Sequence, residues 1–154
     1  MANREVAEEK IRVRPMEAED ISSVLEIDHR LSGAQRASTY IEPSGEVLGG
    51  EFSLSFVAEV GEQCVGFILA RIARAGETFV DTVLIQILGV DPDYQRRGVA
   101  TELVNSLVKT CQSRGLGAVR IMLREPDTQL HGFFKGMDFR RSELVEYAKI
   151  LKEG

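Results

Sequence analysis

The segment "LGVDPDYQRRGVATELVNSLV", Leu88 to Val108, joins an apolar strand to an amphipathic helix through a short polar loop. The first amides of a helix lack carbonyl partners, and the helix dipole places about half a positive charge at that end. Arg96 and Arg97 add positive charge where a helix without a ligand would more naturally carry acids or Ser/Thr. Gly98 lets a ligand approach the backbone. The segment therefore predicts an anion site that suits phosphate.

The strand before this loop has the pattern of a central strand. Residues 83–88 are apolar at every position except Gln86, as expected for a strand covered on both faces. Gly89 removes a side chain near the end of the strand, which predicts a β-bulge or a close approach of a ligand to the backbone. The loop lacks the glycine spacing and the Lys-Ser/Thr pair of a Walker loop, and it is not the glycine-rich Rossmann turn. Both of those nucleotide sites are therefore excluded.

Outward from this segment, the pattern predicts a single α/β domain with a mixed sheet. Residues 1–10 are polar and are expected to be disordered, and residues 32–51 are expected to form a short helix and a loop. Apolar alternation predicts strands, and apolar spacing of three and four predicts helices. The predicted strands are 11–15, 52–60, 64–74, 78–90, 118–124 and 139–151, the last as one long or two short strands; the predicted helices are 17–31, 98–115 and 127–136.

Composition and charge narrow the classes of function. With 154 residues, 44% of them hydrophobic and 28% charged, the chain is long enough for one globular core. A net charge of −5 disfavours non-specific binding to nucleic acid or to anionic lipid. No run nears the roughly 18 apolar residues of a membrane span, and the charged first residues do not resemble a signal peptide. We therefore expect a cytoplasmic protein with neither a membrane nor a nucleic-acid partner.

The cysteines and histidines carry no metal pattern. Cys64 and Cys111 lie far apart in the sequence without a partner motif, so we interpret them as reduced thiols. His29 and His131 lack neighbours at the spacing of metal ligands or of a catalytic triad. We therefore expect no metal site.

The residues of the loop also match a known family. Gln95 to Ala100, "QRRGVA", closely resembles the coenzyme A motif of the GNAT N-acetyltransferase superfamily, Gln/Arg-x-x-Gly-x-Gly/Ala. "IRVRPMEAEDISSVLEID" is similar to the first strand and helix of that family, and "LREPDTQLHGFFKGMDF" to its second motif. The resemblance implies one acetyltransferase domain over residues 1–154, with a mixed, mostly antiparallel sheet, central splayed strands and flanking helices. It also implies that acetyl-CoA is the co-substrate of an N-acetyltransferase, in which a primary amine attacks directly and no acyl-enzyme forms.

The same resemblance assigns residues to acetyl-CoA. It implies that the backbone of Leu88 and Val90, with Gly89 between them, pairs with the pantetheine arm. An amide near Leu88 would face the thioester carbonyl, where negative charge grows during attack. The pyrophosphate would lie on the amides of the loop. The residues implied there are Gln95, Arg96, Arg97, Gly98, Val99, Ala100 and Thr101.

The second motif departs from the family pattern. Asp127 stands where many relatives carry an asparagine, and Phe134 stands where they carry a tyrosine that protonates the departing thiolate. By this alignment both residues lie beside the cofactor, but Phe134 has no proton to give. Met122 stands where relatives that acetylate protein N-termini carry a glutamate.

Three candidates are left for accepting the proton of the amine: Glu125, Asp81 and a chain of waters. Gln86 could order a water, but it is not a base. The missing tyrosine and glutamate keep an alternative open, in which the chain is a CoA-binding regulatory protein or a catalytically degenerate family member. A third reading is a nucleic-acid or phosphoprotein binder that uses the arginine pair, which the acidic net charge disfavours.

The acceptor is not specified by any motif. The resemblance places acceptor choice in residues 32–50 and 139–151, and neither segment carries a recognisable pocket. The partner is therefore expected to be a small-molecule or peptide amine, with polyamine, antibiotic, amino acid, lysine side chain and protein N-terminus all open. A homodimer is also among the expectations.

Overall fold

A computed structural model describes residues 10–32, 52–73 and 82–152 of the chain. They fall into two compact units, the first ending at Met122 and the second beginning at Leu123. The predictions for residues 1–9, for almost all of the acceptor segment 32–50 and for Asp81 lie outside the described residues.

The first unit is built on one five-stranded sheet with strand order β1-β2-β3-β4-β5. Strands β1 to β4 are antiparallel neighbours, and β5 runs parallel to β4. The elements are β1 Ile11–Pro15, α1 Ile21–Ser32, β2 Phe56–Val60, β3 Gln63–Ala73, β4 Thr82–Val90, α2 Val99–Ser113 and β5 Ala118–Ile121, with 3₁₀ turns at Ala18–Asp20, Phe52–Leu54 and Pro92–Tyr94. This mixed, mostly antiparallel sheet with flanking helices confirms the predicted α/β fold.

Helices α1 and α2 pack on opposite faces of β3. A Cβ at Gly66 would lie 2.8 Å from a methyl group of Val99 and 3.2 Å from one of Leu103, both in α2. The next residue, Phe67, instead belongs to the core that includes Val24 of α1. Because successive residues of a strand point to opposite faces, the sheet is covered on both sides. Burial on both faces explains why β4 is apolar at almost every position.

The second unit contains one helix, α3 Thr128–Gly136, and ends in a segment, residues 139–152, without helix or strand. The prediction of strands over 139–151 is therefore wrong. Apolar alternation is only half of what a strand needs, because its backbone groups must also pair with a neighbouring strand. No element in the described part of the chain pairs with this segment. From Leu144 onward its large apolar side chains are exposed, Val145 at 76% and Tyr147 at 93%.

Two smaller differences concern element ends. Strand β5 stops at Ile121, three residues before the predicted end, and Met122 after it is exposed. Gly98 caps α2 from outside, so that the helix begins at Val99. Within the described ranges, no helix combines the length and the apolar run that crossing a membrane requires.

Candidate active site

The N-terminus of α2 has no side-chain cap. Gly98 is the N-cap residue, and its lack of a side chain leaves the amides of the first turn without the usual oxygen acceptor. The first i→i−4 bond of the helix runs from the amide of Glu102 to the carbonyl of Gly98, at 3.0 Å. The amides of Val99, Ala100 and Thr101 therefore have no acceptor within the helix. These donors lie at the positive end of the helix dipole, which suits an anion.

The backbone around Gly98 is shaped for close approach. Gly98 adopts a left-handed conformation with φ 87° and ψ 7°, and beyond its two chain neighbours no described residue has an atom within 4 Å of the position that a Cβ would take. Arg96 is also left-handed, with φ 64°, which costs a residue with a side chain about 1 kcal/mol. Two left-handed residues within three positions turn the chain sharply from the loop into α2. Strain of this kind collects where a ligand is held.

Both arginines of the loop are exposed, and one of them is oriented by an aromatic ring. The guanidinium carbon of Arg97 lies 4.9 Å from the centre of the Tyr94 ring. A cation over an aromatic face at this distance is stabilised by the negative charge of the ring face. Arg97 is therefore held beside the end of α2 and remains open to solvent.

The base of the loop is fixed by Asp91, which is 2% exposed. Its carboxylate accepts a hydrogen bond from the amide of Asp93 at 2.8 Å and one from Nη1 of Arg30, in α1, at 2.7 Å. Its own amide donates to the carbonyl of Val65 at 2.8 Å. Hydrogen bonding to Asp93 and the charge of Asp91 raise the pKa of the Arg30 guanidinium. Asp91 thus joins the loop to β3 and to α1.

The sequence analysis did not predict the ion pair between Arg30 and Asp91. Asp91 carried a partial signal, because an aspartate before a proline often caps a short helix, here the turn Pro92–Tyr94. Arg30 carried none, since it lies 61 positions earlier in the sequence.

The side chain of Gln95 bonds to the end of β4, the strand whose backbone is predicted to pair with the pantetheine arm. Its Nε2 donates a hydrogen bond to the carbonyl of Val90 at 3.2 Å. The interaction closes the loop back on the end of β4. Gln95, one of the residues predicted to surround the pyrophosphate, thus has a side chain that points back to the strand.

Strand β4 parts from β5 halfway along its length. On one edge β4 pairs with β3 to the end, where Val90 is opposite Gly66. On the other edge the parallel pairing with β5 runs only from Thr82, opposite Ala118, to Ile85, opposite Ile121. The later residues, including Leu88 and Val90, have no strand partner on that edge among the described residues. This is the splay that the sequence resemblance predicted, and it leaves backbone groups available beside the loop.

The reason for a glycine at position 89 is packing. A Cβ there would lie 2.6 Å from Cε1 of Phe67 and 3.2 Å from a methyl group of Leu31. Gly89 therefore allows an aromatic side chain of β3 and the end of α1 to lie against β4.

Gln86 is the extra residue of a β-bulge. Ile85 is opposite Ala70 and Ile87 is opposite Leu69. Adjacent residues of β3 thus face residues of β4 that are two positions apart, and Gln86 between them has no residue opposite it in β3. Oε1 of Gln86 is shielded from solvent and has no hydrogen-bond partner among residues 10–32, 52–73 and 82–152. An amide oxygen buried in this way costs about 1–3 kcal/mol. Gln86 thus combines an irregular backbone with an unsatisfied acceptor.

The predicted residues of the second motif lie in the second unit. Glu125 is exposed and accepts a hydrogen bond from Nη2 of Arg141 at 3.1 Å. Asp127 is the N-cap residue of α3, but its side chain makes no capping bond. Phe134 is 2% exposed. Its ring centre lies 4.9 Å from that of Phe133 and 5.0 Å from that of Phe139, both edge-to-face. It is thus part of an aromatic cluster.

The cysteines have the properties of unreactive thiols. Burial raises the pKa of Cys64 to about 11, and burial also raises the pKa of Cys111. Both side chains therefore hold their protons at neutral pH, and a protonated thiol is a poor nucleophile. His131 accepts or donates one hydrogen bond, between its Nε2 and the carbonyl of Arg124 at 2.8 Å. The described residues contain no group of three His, Cys, Asp or Glu side chains that could hold a metal ion.

Comparison with known families and proteins gives a consistent result. Residues 19–139 match the model of the "Acetyltransferase (GNAT) family". An acetyltransferase of Yersinia pestis (strain Pestoides F) is 30% identical over 99 residues, which cover 64% of this chain and 65% of that protein. An acetyltransferase of Pectobacterium atrosepticum is 28% identical over 101 residues, 65% of this chain and 67% of that protein. The Yersinia match thus leaves about a third of the relative uncovered.

Solved structures share the fold. The aminoglycoside acetyltransferase AAC(6′)-Iy, in complex with the bisubstrate analogue CoA-S-monomethyl-acetylneamine, aligns with a TM-score of 0.75 over 92% of this chain and 98% of that chain, at 18% identity. The ribosomal-protein-alanine N-acetyltransferase of Brucella melitensis biovar Abortus 2308 aligns with a TM-score of 0.73 over 93% of this chain and 100% of that chain, at 11% identity. At such identities the likeness is one of fold.

Proposed function

This chain belongs to the acetyltransferase (GNAT) family, and on that basis we propose that it is an acyltransferase that moves the acetyl group of acetyl-CoA to a primary amine. One observation carries the proposal. The uncapped N-terminus of α2 follows, after the short loop 91–98, a strand whose last residues lack a partner on the β5 edge among the described residues. A diphosphate and an amide-containing arm, joined as they are in acetyl-CoA, need these two features side by side.

The residues present fit acetyl-CoA. The amides of Val99, Ala100 and Thr101 and the cations Arg96 and Arg97 supply donors and charge for the pyrophosphate. Apart from the carbonyl of Val90, which accepts a hydrogen bond from Gln95, the β5 side of Leu88–Val90 supplies backbone groups for the amides of the pantetheine arm. When bound, acetyl-CoA supplies a thioester whose acetyl carbon an amine can attack. We assign Asp127 and Phe134 to the cofactor side only by the resemblance of the second motif.

Direct attack by the amine is favoured over an acyl-enzyme. An acyl-enzyme would need a nucleophilic side chain, and the raised pKa of Cys64 and of Cys111 keeps both thiols protonated. The amine must lose a proton instead. Glu125 is our candidate for accepting it, with a chain of waters as the alternative. Its exposure in the second unit supports access of the carboxylate to solvent.

The acceptor class is a small-molecule or peptide amine. Two structural neighbours support this range, since one is an aminoglycoside acetyltransferase and the other a ribosomal-protein-alanine N-acetyltransferase. Their names refer to acceptors of very different size, so we assign neither acceptor to this chain. The homodimer and the cytoplasmic location stay predictions, and light scattering of the purified protein tests the first of them.

Thermal unfolding with and without acetyl-CoA tests the cofactor proposal, because a ligand that binds only the native state raises the apparent Tm. Dephospho-CoA should retain most of the shift, since the pyrophosphate is the group placed on α2. The same protein is then given acetyl-CoA with neamine, spermidine, L-lysine and an alanine-initiated peptide, and free thiol is followed. A Tm shift with thiol release supports the proposed enzyme. A shift without release supports the CoA-binding regulatory alternative, and no shift at about 1 mM acetyl-CoA contradicts both.

A further inference from the structure

The unsatisfied oxygen of Gln86 lies where β4 and β5 separate. Ile85 is the last residue of β4 that pairs with β5, and Gln86 is the next one. Its Oε1 is shielded from solvent and accepts no hydrogen bond from the part of the chain that the structure describes. Buried polar atoms in native proteins nearly always have a partner, and an exception calls for an explanation. A ligand group that donates a hydrogen bond at this point would provide one.

The bulge explains how a polar side chain comes to this position. In a regular ladder each residue of β4 would be opposite one residue of β3, but here Gln86 is inserted between the pairs Ile85–Ala70 and Ile87–Leu69. A bulge re-aims the side chain of the inserted residue and locally interrupts the ladder with β3, which resumes at Ile87. The two irregularities of β4, the bulge and the loss of β5, therefore coincide at one residue.

We propose that Gln86 binds the acceptor: its Oε1 accepts a hydrogen bond from an N–H of the attacking amine. The inference rests on the proposed acetyl transfer and names the group that aligns its nucleophile. A carboxamide oxygen accepts hydrogen bonds but does not take a proton at neutral pH. Gln86 therefore orients the amine, and a separate base or water removes the proton.

The chemistry of the step fits an acceptor with two N–H groups. The nitrogen lone pair forms the bond to the acetyl carbon, and the C–S bond breaks with its electron pair on sulfur. One N–H proton passes to the base or to water, and the thiolate leaves or is protonated by solvent. A primary amine can keep its second N–H on Gln86 throughout. An alcohol has only one hydrogen, which the same step must remove, so Gln86 favours a primary amine over the corresponding alcohol.

Gln86→Met tests the role, because methionine has a similar length and cannot accept the bond well. The amine of the panel that the parent protein acetylates fastest is used as the probe. We expect its KM to rise about tenfold, as the loss of one hydrogen bond of roughly 1.4 kcal/mol implies, with the Kd of acetyl-CoA unchanged within about twofold. Gln112→Met is the matched control, since Gln112 is an exposed residue of α2. That variant should leave both constants unchanged.

A second variant covers the case in which Gln86→Met does not fold. Gln86→Glu retains an acceptor and adds a negative charge, so it should lower the KM of the amine and move the acidic limb of the turnover profile to higher pH. An unchanged amine KM in either variant overturns the inference and leaves the proposed function standing. A tenfold loss of acetyl-CoA affinity in Gln86→Met also overturns it, because the donor would then be an amide of the pantetheine arm. If the parent binds acetyl-CoA but acetylates no amine, the proposed function fails together with the inference.

Discussion

Nη1 of Arg30 lies 2.7 Å from Oδ2 of Asp91, and this ion pair joins the last turn of α1 to the start of the loop that follows β4. The two partners differ in exposure, since Asp91 is 2% exposed and the side chain of Arg30 39%. Asp91 is also bonded to the amide of Asp93. A buried carboxylate with these partners fixes where the chain turns from β4 towards α2. The position of the anion site therefore depends on Asp91, which lies outside the motif Gln95–Ala100.

Asp91→Ala should destabilise the protein by about 2 kcal/mol, because Arg30 and the amide of Asp93 both lose the buried carboxylate that accepts their hydrogen bonds. The loop should also lose its fixed start, so the affinity for acetyl-CoA should fall. Urea unfolding measures the first effect and calorimetric titration the second. Asp93→Ala is the control, since the side chain of Asp93 is 76% exposed and its backbone amide is retained. Equal unfolding midpoints for the two variants would contradict the assigned role of Asp91.

Replacing Gly98 separates a backbone effect from a ligand effect. At φ 87° any residue with a side chain is strained, so Gly98→Leu should lose about 1–2 kcal/mol of stability. Apart from Gly98 and its two chain neighbours, no atom of the described residues lies within 4 Å of the new Cβ, so a loss of acetyl-CoA binding would come from a clash with the ligand. Gly61→Leu is the matched control, because Gly61 has φ 63°, equally open surroundings and a place in the β2–β3 turn. Both variants should unfold earlier, and only Gly98→Leu should lose the Tm shift with acetyl-CoA.

Tyr94 should raise the affinity for acetyl-CoA, because its ring orients the guanidinium of Arg97. Tyr94→Leu removes the ring beneath the guanidinium, and an exposed cation–π contact is worth about two- to fivefold in affinity. Tyr94→Phe keeps the ring and should bind acetyl-CoA like the parent.

Arg97→Ala should weaken acetyl-CoA binding more at low than at high salt, because salt screens the attraction between the guanidinium and the pyrophosphate. Lys109→Ala makes the same charge change on the exposed side of α2 and should not show this dependence. Calorimetry at two salt concentrations decides, and equal losses for Arg97→Ala and Lys109→Ala would count against a specific anion site.

Much of the site could be predicted because its signals are local. The helix dipole, the missing cap at Gly98 and the adjacent arginines all lie within a few residues, and short-range geometry follows directly from them. The apolar run of β4 likewise predicted a strand covered on both faces.

Other features depend on partners that are distant in the sequence. The bulge at Gln86 becomes visible only when β3 and β4 are counted against each other. The pairing of Arg30 with Asp91 spans 61 positions. The strand expected over 139–151 failed for the same reason, since alternation such as that around Val145 does not say whether a neighbouring strand exists.

The thiol of Cys64 should react slowly. Burial is the largest cause that raises its pKa to about 11, and each unit of pKa lowers the thiolate fraction tenfold. Alkylation near neutral pH should thus be about a hundredfold slower than for an ordinary exposed thiol.

The raised pKa of Cys64 also makes stability depend on pH, because the native state keeps the thiol proton to higher pH than the unfolded chain does. The resulting stabilisation is present below the ordinary pKa of 9.0 and is lost as the pH rises towards 11. Cys64→Ser should flatten the fall of Tm in that range and leave acetyl transfer intact, and a variant without activity would reopen the acyl-enzyme route.

Glu125 is tested against its ion-pair partner. The carboxylate of Glu125 pairs with an exposed arginine, Arg141, at 3.1 Å, and exposed pairs contribute little to stability. If Glu125 accepts the proton of the amine, Glu125→Gln should lower turnover by about a hundredfold or more and remove the acidic limb of its pH profile. Arg141→Gln breaks the same ion pair and keeps the carboxylate, so its profile should retain the limb. Both variants should bind acetyl-CoA with the affinity of the parent. If the two variants instead have the same modest turnover and the same acidic limb, Glu125 serves only as an ion-pair partner, and a chain of waters carries the proton away.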